Sequence, residues 1–145
     1  MYDRLLFPTD GADGLDTAID HAIDAAERYD ATLHILHVVD EGIYNAYPGD
    51  EYVHESEGAE QSLREEGEAA VAAVADEATA AGVATETEVA YGTPYEQIVT
   101  YVENNDIDLV VVGNRRQSGE YRQLLGSTSE RVARLVDVPV TIVHE

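Results

Sequence analysis

Apolar and polar positions along this chain switch repeatedly between a strand-like and a helix-like period. Residues 4–7, Arg-Leu-Leu-Phe, form a short apolar run ending at Pro8-Thr9-Asp10-Gly11, the pattern of a buried strand entering a turn. Leu15, Ile19, Ala22, Ile23 and Ala26 then recur every three to four residues, with Asp16, Asp20, Asp24 and Glu27 between them, and predict an amphipathic helix. Leu33-His34-Ile35-Leu36-His37-Val38-Val39 reads as a second strand, apolar enough throughout to be buried on both faces. Residues 40–58, with Pro48 and the tyrosines 44, 47 and 52, keep no period and predict a long surface loop. From about Glu60 to Ala80, Leu63, Gly67, Ala70, Val71, Val74 and Ala78 form a stripe of mostly small residues, suited to a helix packed closely on a sheet. A strand follows at Thr85 to Ala90, then Gly92-Thr93-Pro94, where Thr93 suits an N-cap and Pro94 the first position of a helix that runs through Val102. Asp108-Leu109-Val110-Val111-Val112-Gly113 is the strongest strand signal; a polar loop over 114–123, a short helix at Ser127 to Leu135 and a last strand at Val138 to Val143 complete the series.

Strands alternating with helices imply right-handed crossovers. The expected fold is α/β: one domain over residues 1–145, built on a doubly wound, five-stranded parallel sheet in a three-layer sandwich. In such sheets a ligand lies beyond the C-terminal ends of the strands, where strand order reverses. The places to search are Asp10, Val38 to Asp40, and Gly113 onward.

Composition narrows the chemistry. With 145 residues the chain can bury a core without staples. Thirty acidic residues against eight basic ones give a formal net charge of -22. That excess reads as a solvated surface, matching a cytoplasmic protein of an extreme halophile, and disfavours nucleic acid and anionic membranes as partners. No apolar run approaches the roughly 18 to 20 residues of a membrane helix, and the opening Met1-Tyr2-Asp3-Arg4 has no signal-peptide character, so a cytoplasmic location is expected. Cysteine is absent, which removes disulfides and thiolate chemistry, and all eight basic residues are arginine. Without lysine there is no Walker A loop, no kinase phosphate lysine and no Schiff base. His34 and His37, three apart on a strand, point to opposite faces, while His21, His54 and His144 lie in other elements, so the histidines compose no metal site.

One segment gathers features suited to an anion. Gly113 and Gly126 permit close backbone approach, Gly126-Ser127-Thr128 opens a helix whose free amides favour negative charge, and Arg115, Arg116 and Arg122 crowd three cations into one loop. A purely structural reading is also available: Ser127 caps the helix with Glu130 as its capping-box partner, and the arginines pair with carboxylates. Asp10 likewise suits either a ligand-facing strand end or an ordinary turn or N-cap.

Taken together, Pro8-Thr9-Asp10 after the first strand, Leu36-His37-Val38 in the second, Gly92-Thr93-Pro94, and the segment from Gly113 to Ser127 resemble the universal stress protein family over essentially the whole chain. The resemblance implies a Rossmann-like, adenine nucleotide alpha hydrolase-like fold and a regulatory stress-response protein. The residues themselves offer no Ser-His-Asp order, no paired acid and base and no lysine for phosphoryl transfer, so no enzyme is expected beyond slow ATP hydrolysis. The resemblance further implies bound ATP, with magnesium near Asp10, and a homodimer through the strand Val138 to Val143. Pro8, Thr9 and Asp10 would lie near the ribose and metal, and the Val38 backbone at the adenine. Gly113, Asn114, Arg115, Arg116, Gly126, Ser127 and Thr128 would surround the phosphates. The family's motif is glycine, two residues, glycine, nine residues, then glycine with serine or threonine; here Arg116 stands at the second glycine. Its guanidinium either fills the phosphate space, leaving a dimeric interaction module without nucleotide, or becomes a phosphate ligand.

Overall fold

The computed structural model describes residues 1–11, 14–40, 53–114 and 127–145. The elements run β1 (Arg4–Pro8), α1 (Asp16–Tyr29), β2 (Thr32–Asp40), α2 (Val53–Ala80), β3 (Thr85–Gly92), α3 (Pro94–Asn104), β4 (Leu109–Asn114), α4 (Ser127–Leu135) and β5 (Val140–His144). The strands form one parallel sheet in the order β3-β2-β1-β4-β5. The chain thus winds outward from β1 to one edge, returns to β4 and winds to the other, placing the reversal of strand order between β1 and β4.

Each face of the sheet owns a separate core. Leu5, Phe7, Leu33, Ile35, Leu109 and Val111 point to the face covered by α1 and α2. Leu6, Leu36, Val110 and Val112 point to the face covered by α3 and α4, where Ile98, Tyr101, Val102 and Val132 meet them. The unbroken apolar runs of the central strands follow from this two-sided burial. On α1 the innermost row is Ala18, Ala22 and Ala26, all fully buried, while Ile19 and Ile23 flank it half-buried. A methyl-only row brings the helix axis close to the sheet.

Local chemistry fixes the boundaries. Thr93 takes the extended N-cap conformation and Pro94 opens α3, although the threonine hydroxyl makes no capping bond. The first turn of α1 has no cap from its neighbour Leu15; instead the Glu145 carboxylate accepts the Thr17 and Ala18 amides at 3.2 and 2.9 Å. α2 begins at Val53, inside the segment expected to be loop; its first turns carry Glu55, Glu57 and Glu60, which favour a helix without an apolar stripe. β5 begins at Val140, two residues later than expected: Pro139 has no N–H to donate, yet its carbonyl accepts the Val110 N–H at 3.0 Å. No described helix is long and apolar enough to cross a membrane.

His34 and His37 face opposite sides of the sheet, as their spacing requires. His34 is buried against α3, with Nδ1 at 2.7 Å from the Tyr101 hydroxyl and 3.3 Å from the Glu86 carboxylate. Burial holds its imidazole below the ordinary value, with Glu86 opposing the shift and Arg4 adding to it. Burial, joined by Glu88 and Glu86, pushes the Tyr101 hydroxyl up to about 12.

Candidate functional site

A cleft of about 390 Å³ opens at the C-terminal ends of β1 and β4, on the reversal of strand order. Pro8, Thr9 and Asp10 form its β1 corner and Val38 its β2 side. Gly113 and Asn114 close it from β4, and Thr128 and Ser129 from the first turn of α4. Leu36, Ile98, Val112 and Val132 give it an apolar floor and wall, and Leu15 and Pro94 narrow its mouth.

Of the residues expected to bind, Pro8, Thr9, Asp10, Val38, Gly113, Asn114 and Thr128 are brought together here. Ser127 begins α4, with its side chain outside the described residues; Arg115, Arg116 and Gly126, together with Arg122 and the tyrosines 44, 47 and 52, also lie outside them. The apolar residues Ile98, Val112 and Val132 and the hydroxyl of Ser129 were not singled out in the sequence. Their signal was present, because the inward stripes of α3, β4 and α4 must converge wherever the sheet ends between two helices.

Thr9, Asn114 and Ser129 at the rim are held from behind. The Thr9 N–H donates to the Leu36 carbonyl at 2.8 Å, and the Thr9 hydroxyl accepts the Gly11 N–H at 3.2 Å. In a parallel ladder a residue's N–H and C=O point to the same neighbour. The Leu36 carbonyl faces β1, so the main-chain groups of Val38 face that side too, just past the last β1–β2 pair, Pro8 with Leu36. That places one donor and one acceptor of β2 at the cleft. Asn114, nearly buried, has its Nδ2 3.1 Å from His144 Nδ1 on the edge strand. Ser129 Oγ donates to the Gly113 carbonyl at 3.5 Å, joining α4 to the end of β4.

The arginines divide by role. Arg4, Arg28, Arg64 and Arg134 form exposed ion pairs with Asp106, Asp24, Glu68 and Glu130, each worth about 1 kcal/mol at most. Glu130 sends one carboxylate oxygen along α4 to Arg134, 2.8 Å away. Arg131 lies over the Tyr95 ring at 4.7 Å and ties α4 to α3, the two helices that wall the cleft. Among the described residues no three histidine or acidic side chains cluster to hold a metal ion by themselves.

The arrangement offers an apolar slot with main-chain groups on one side and a carboxylate, a buried amide, hydroxyls and a helix start on the other. Such a cleft suits a flat heterocycle joined to an anionic group.

The universal stress protein family model matches residues 1–144. Universal stress protein MJ0531 of Methanocaldococcus jannaschii is 35% identical over 145 residues, covering 100% of this chain and 84% of that protein. Universal stress protein YxiE of Bacillus subtilis is 33% identical over 148 residues, covering 99% of this chain and all of its own. A crystal structure of a universal stress protein in complex with cAMP superposes with a TM-score of 0.69 at 29% identity, covering 99% of this chain and 97% of that one. The structure of MJ0577 shares the fold, with a TM-score of 0.83 at 23% identity over 100% of this chain and 97% of that one. From the alternation of strands and helices to the crevice at the strand reversal, this chain belongs to the universal stress protein family.

Proposed function

We propose that this chain is a regulatory stress-response protein that binds an adenine nucleotide, ATP with magnesium, in the cleft above β1 and β4. The observation that carries the reading is the meeting, in one 390 Å³ crevice, of the Val38 main chain, the Thr9-Asp10 corner and the start of α4. The cAMP held by a relative of 29% identity supports an adenine nucleotide as the class of ligand. The groups present fit it: the apolar walls and the paired donor and acceptor of β2 suit a purine, and the first turn of α4 suits phosphate oxygens. Magnesium binds through one or two carboxylates and the phosphates, and the Asp10 carboxylate at the rim supplies the protein's share.

Nucleotide acts here as a ligand that biases conformation or partner choice, and no residue of the cleft is assigned as a general base. β5 stands at one edge of the sheet. An edge that carries Val140 and Ile142 calls for a partner, and a second copy pairing through Val138 to Val143 gives a homodimer. The acidic surface suits a cytoplasm rich in potassium chloride, where counterions screen its self-repulsion.

Calorimetric titration of magnesium ATP into protein freed of copurified nucleotide, in molar potassium chloride, tests the reading. Saturable binding in the micromolar range is expected. Absence of both heat and thermal stabilisation at millimolar ATP overturns it and leaves a dimeric interaction module with Arg116 in the phosphate space.

A further inference from the structure

We infer that His37, which does not line the cleft, is the positioning residue of its Asp10 corner, clamping the Thr9 carbonyl from behind and being itself wedged by α2. The inference rests on the proposed nucleotide site and names the device that shapes it. β1 stops pairing at Pro8, so the carbonyl of Thr9 lies past the strand ladder and needs another donor. His37 Nδ1 stands 2.9 Å from that carbonyl oxygen. A carbonyl oxygen only accepts, so the proton of this bond resides on Nδ1.

With this bond, Thr9 is fixed through its N–H, its carbonyl and its hydroxyl, the last holding the Gly11 amide. Asp10 sits between these two anchored residues, and the position of its Cα follows from them. The ring has little freedom of its own. A Cβ added to Gly67 of α2 would lie 2.6 Å from His37 Cδ2 and 3.3 Å from Cγ, with Val89 Cγ1 of β3 at 3.2 Å. On its far side Gly11, at φ +81°, brings the corner within 3.8 Å of Cε1, measured from the position a Cβ would take. The imidazole is therefore a wedge between α2 and the corner, and glycine at position 67 is what lets the helix come close enough to seat it.

A purely volumetric role and a clamping role separate experimentally. His37→Leu keeps bulk and removes the donor; His37→Asn places an amide N–H near the Nδ1 position with less bulk. Two readouts are taken in molar potassium chloride: magnesium ATP affinity, and amide hydrogen exchange at Gly11 in the nucleotide-free protein. The Leu variant is expected to lose about tenfold in affinity and to exchange Gly11 about tenfold faster, the equivalent of one hydrogen bond, while the Asn variant stays within about threefold of the parent in both. Gly67→Ala, which pushes the ring and leaves its donor in place, is expected to raise Gly11 exchange as well, and it serves where the Leu variant does not fold. Unchanged Gly11 exchange in the Leu and Gly67→Ala variants overturns the clamp, as does an Asn variant that follows Leu rather than the parent. If the parent protein takes up no magnesium ATP, the nucleotide reading fails by itself, and the exchange rates alone decide the role of His37.

Discussion

Replacing Gly113 by alanine separates two reasons for a glycine at the end of β4. The sequence suggests that it lets the backbone approach a ligand; the structure shows its missing Cβ facing α1. A methyl group there would lie 2.6 Å from Leu15 Cδ2, 3.6 Å from Leu15 Cγ and 3.0 Å from Ala18 Cβ. The Leu15 side chain must shift, which alters the cleft it already lines, and the Ala18 methyl is fixed to the helix backbone, so α1 must retreat by a few tenths of an ångström. Overpacking of this kind costs about 1–3 kcal/mol, offset by about 0.4–1 kcal/mol because alanine restricts the unfolded chain. The expected net loss is about 1 kcal/mol, within a span of about 0–2.6 kcal/mol. Urea denaturation should show a lower midpoint with an unchanged slope, and nucleotide affinity should fall only a few-fold as Leu15 intrudes. Combining the change with Leu15→Ala should remove most of the added penalty, since the two side chains compete for one space. A Gly113→Ala protein with an unaltered midpoint and no nucleotide binding would show that the glycine serves the ligand and refute the packing account.

Other perturbations follow from single contacts. Phe7, fully buried between β1 and the α1/α2 layer, should cost about 3–5 kcal/mol on truncation to alanine, read from the urea midpoint. Because His34 is held below its ordinary value of 6.5, the unfolded chain takes up its proton first; the stability it protects is complete above about pH 6.5 and declines below it, and pH-dependent melting of His34→Asn should lack that decline. Tyr101, raised from 10.0 to about 12, has the opposite sign: stability is complete below pH 10 and lost as pH climbs toward 12, by about 2–3 kcal/mol in all, a loss that Tyr101→Phe should abolish. Glu145→Ala should cost about 0.5–2 kcal/mol by uncapping α1, with faster hydrogen exchange at Thr17 and Ala18. Melting temperature should rise from dilute to molar potassium chloride as the charge of -22 is screened; a flat response would count against self-repulsion.

What could be read in the sequence was whatever neighbouring residues decide together. The apolar runs of β2 and β4, the Thr93-Pro94 start of α3 and the opposite facing of His34 and His37 all depend on local period or backbone geometry. The crevice was legible as well, because a parallel sheet whose winding reverses has only one place where two adjacent strands diverge into different helices. What could not be read depends on distant pairs. The cap of α1 comes from Glu145, 127 residues beyond Ala18, and no residue near Leu15 announces it. In the sequence His37 signals only a histidine facing away from His34, whereas the role proposed for it depends on β1 ending one residue before Thr9. Gly67 was placed correctly on the inward stripe of α2, but only the fold shows that an imidazole takes the space of its missing side chain.

The corner, the β4 end and the α4 start are each fixed by a contact from a neighbouring element: His37 and α2 behind Thr9, Leu15 and Ala18 at the start of α1 against Gly113, and Arg131 on Tyr95 beside the first turn of α4. His37, Gly67, Ala18, Arg131 and Tyr95 do not line the cleft, so each can be altered without removing a binding atom, whereas Leu15 both backs Gly113 and lines the mouth. The frame of the site is thus a property of both cores together. The sheet and the α3/α4 layer supply the lining except for Leu15, and the α1/α2 layer sets where the backbone of β1 and β4 must stop. Changes in the α1/α2 layer should therefore act on affinity through position, with effects of a few-fold to tenfold, whereas loss of Asp10 or of the α4 start removes a contact outright. A ranking in which Gly67→Ala or His37→Leu harmed affinity more than Asp10→Ala would contradict this division.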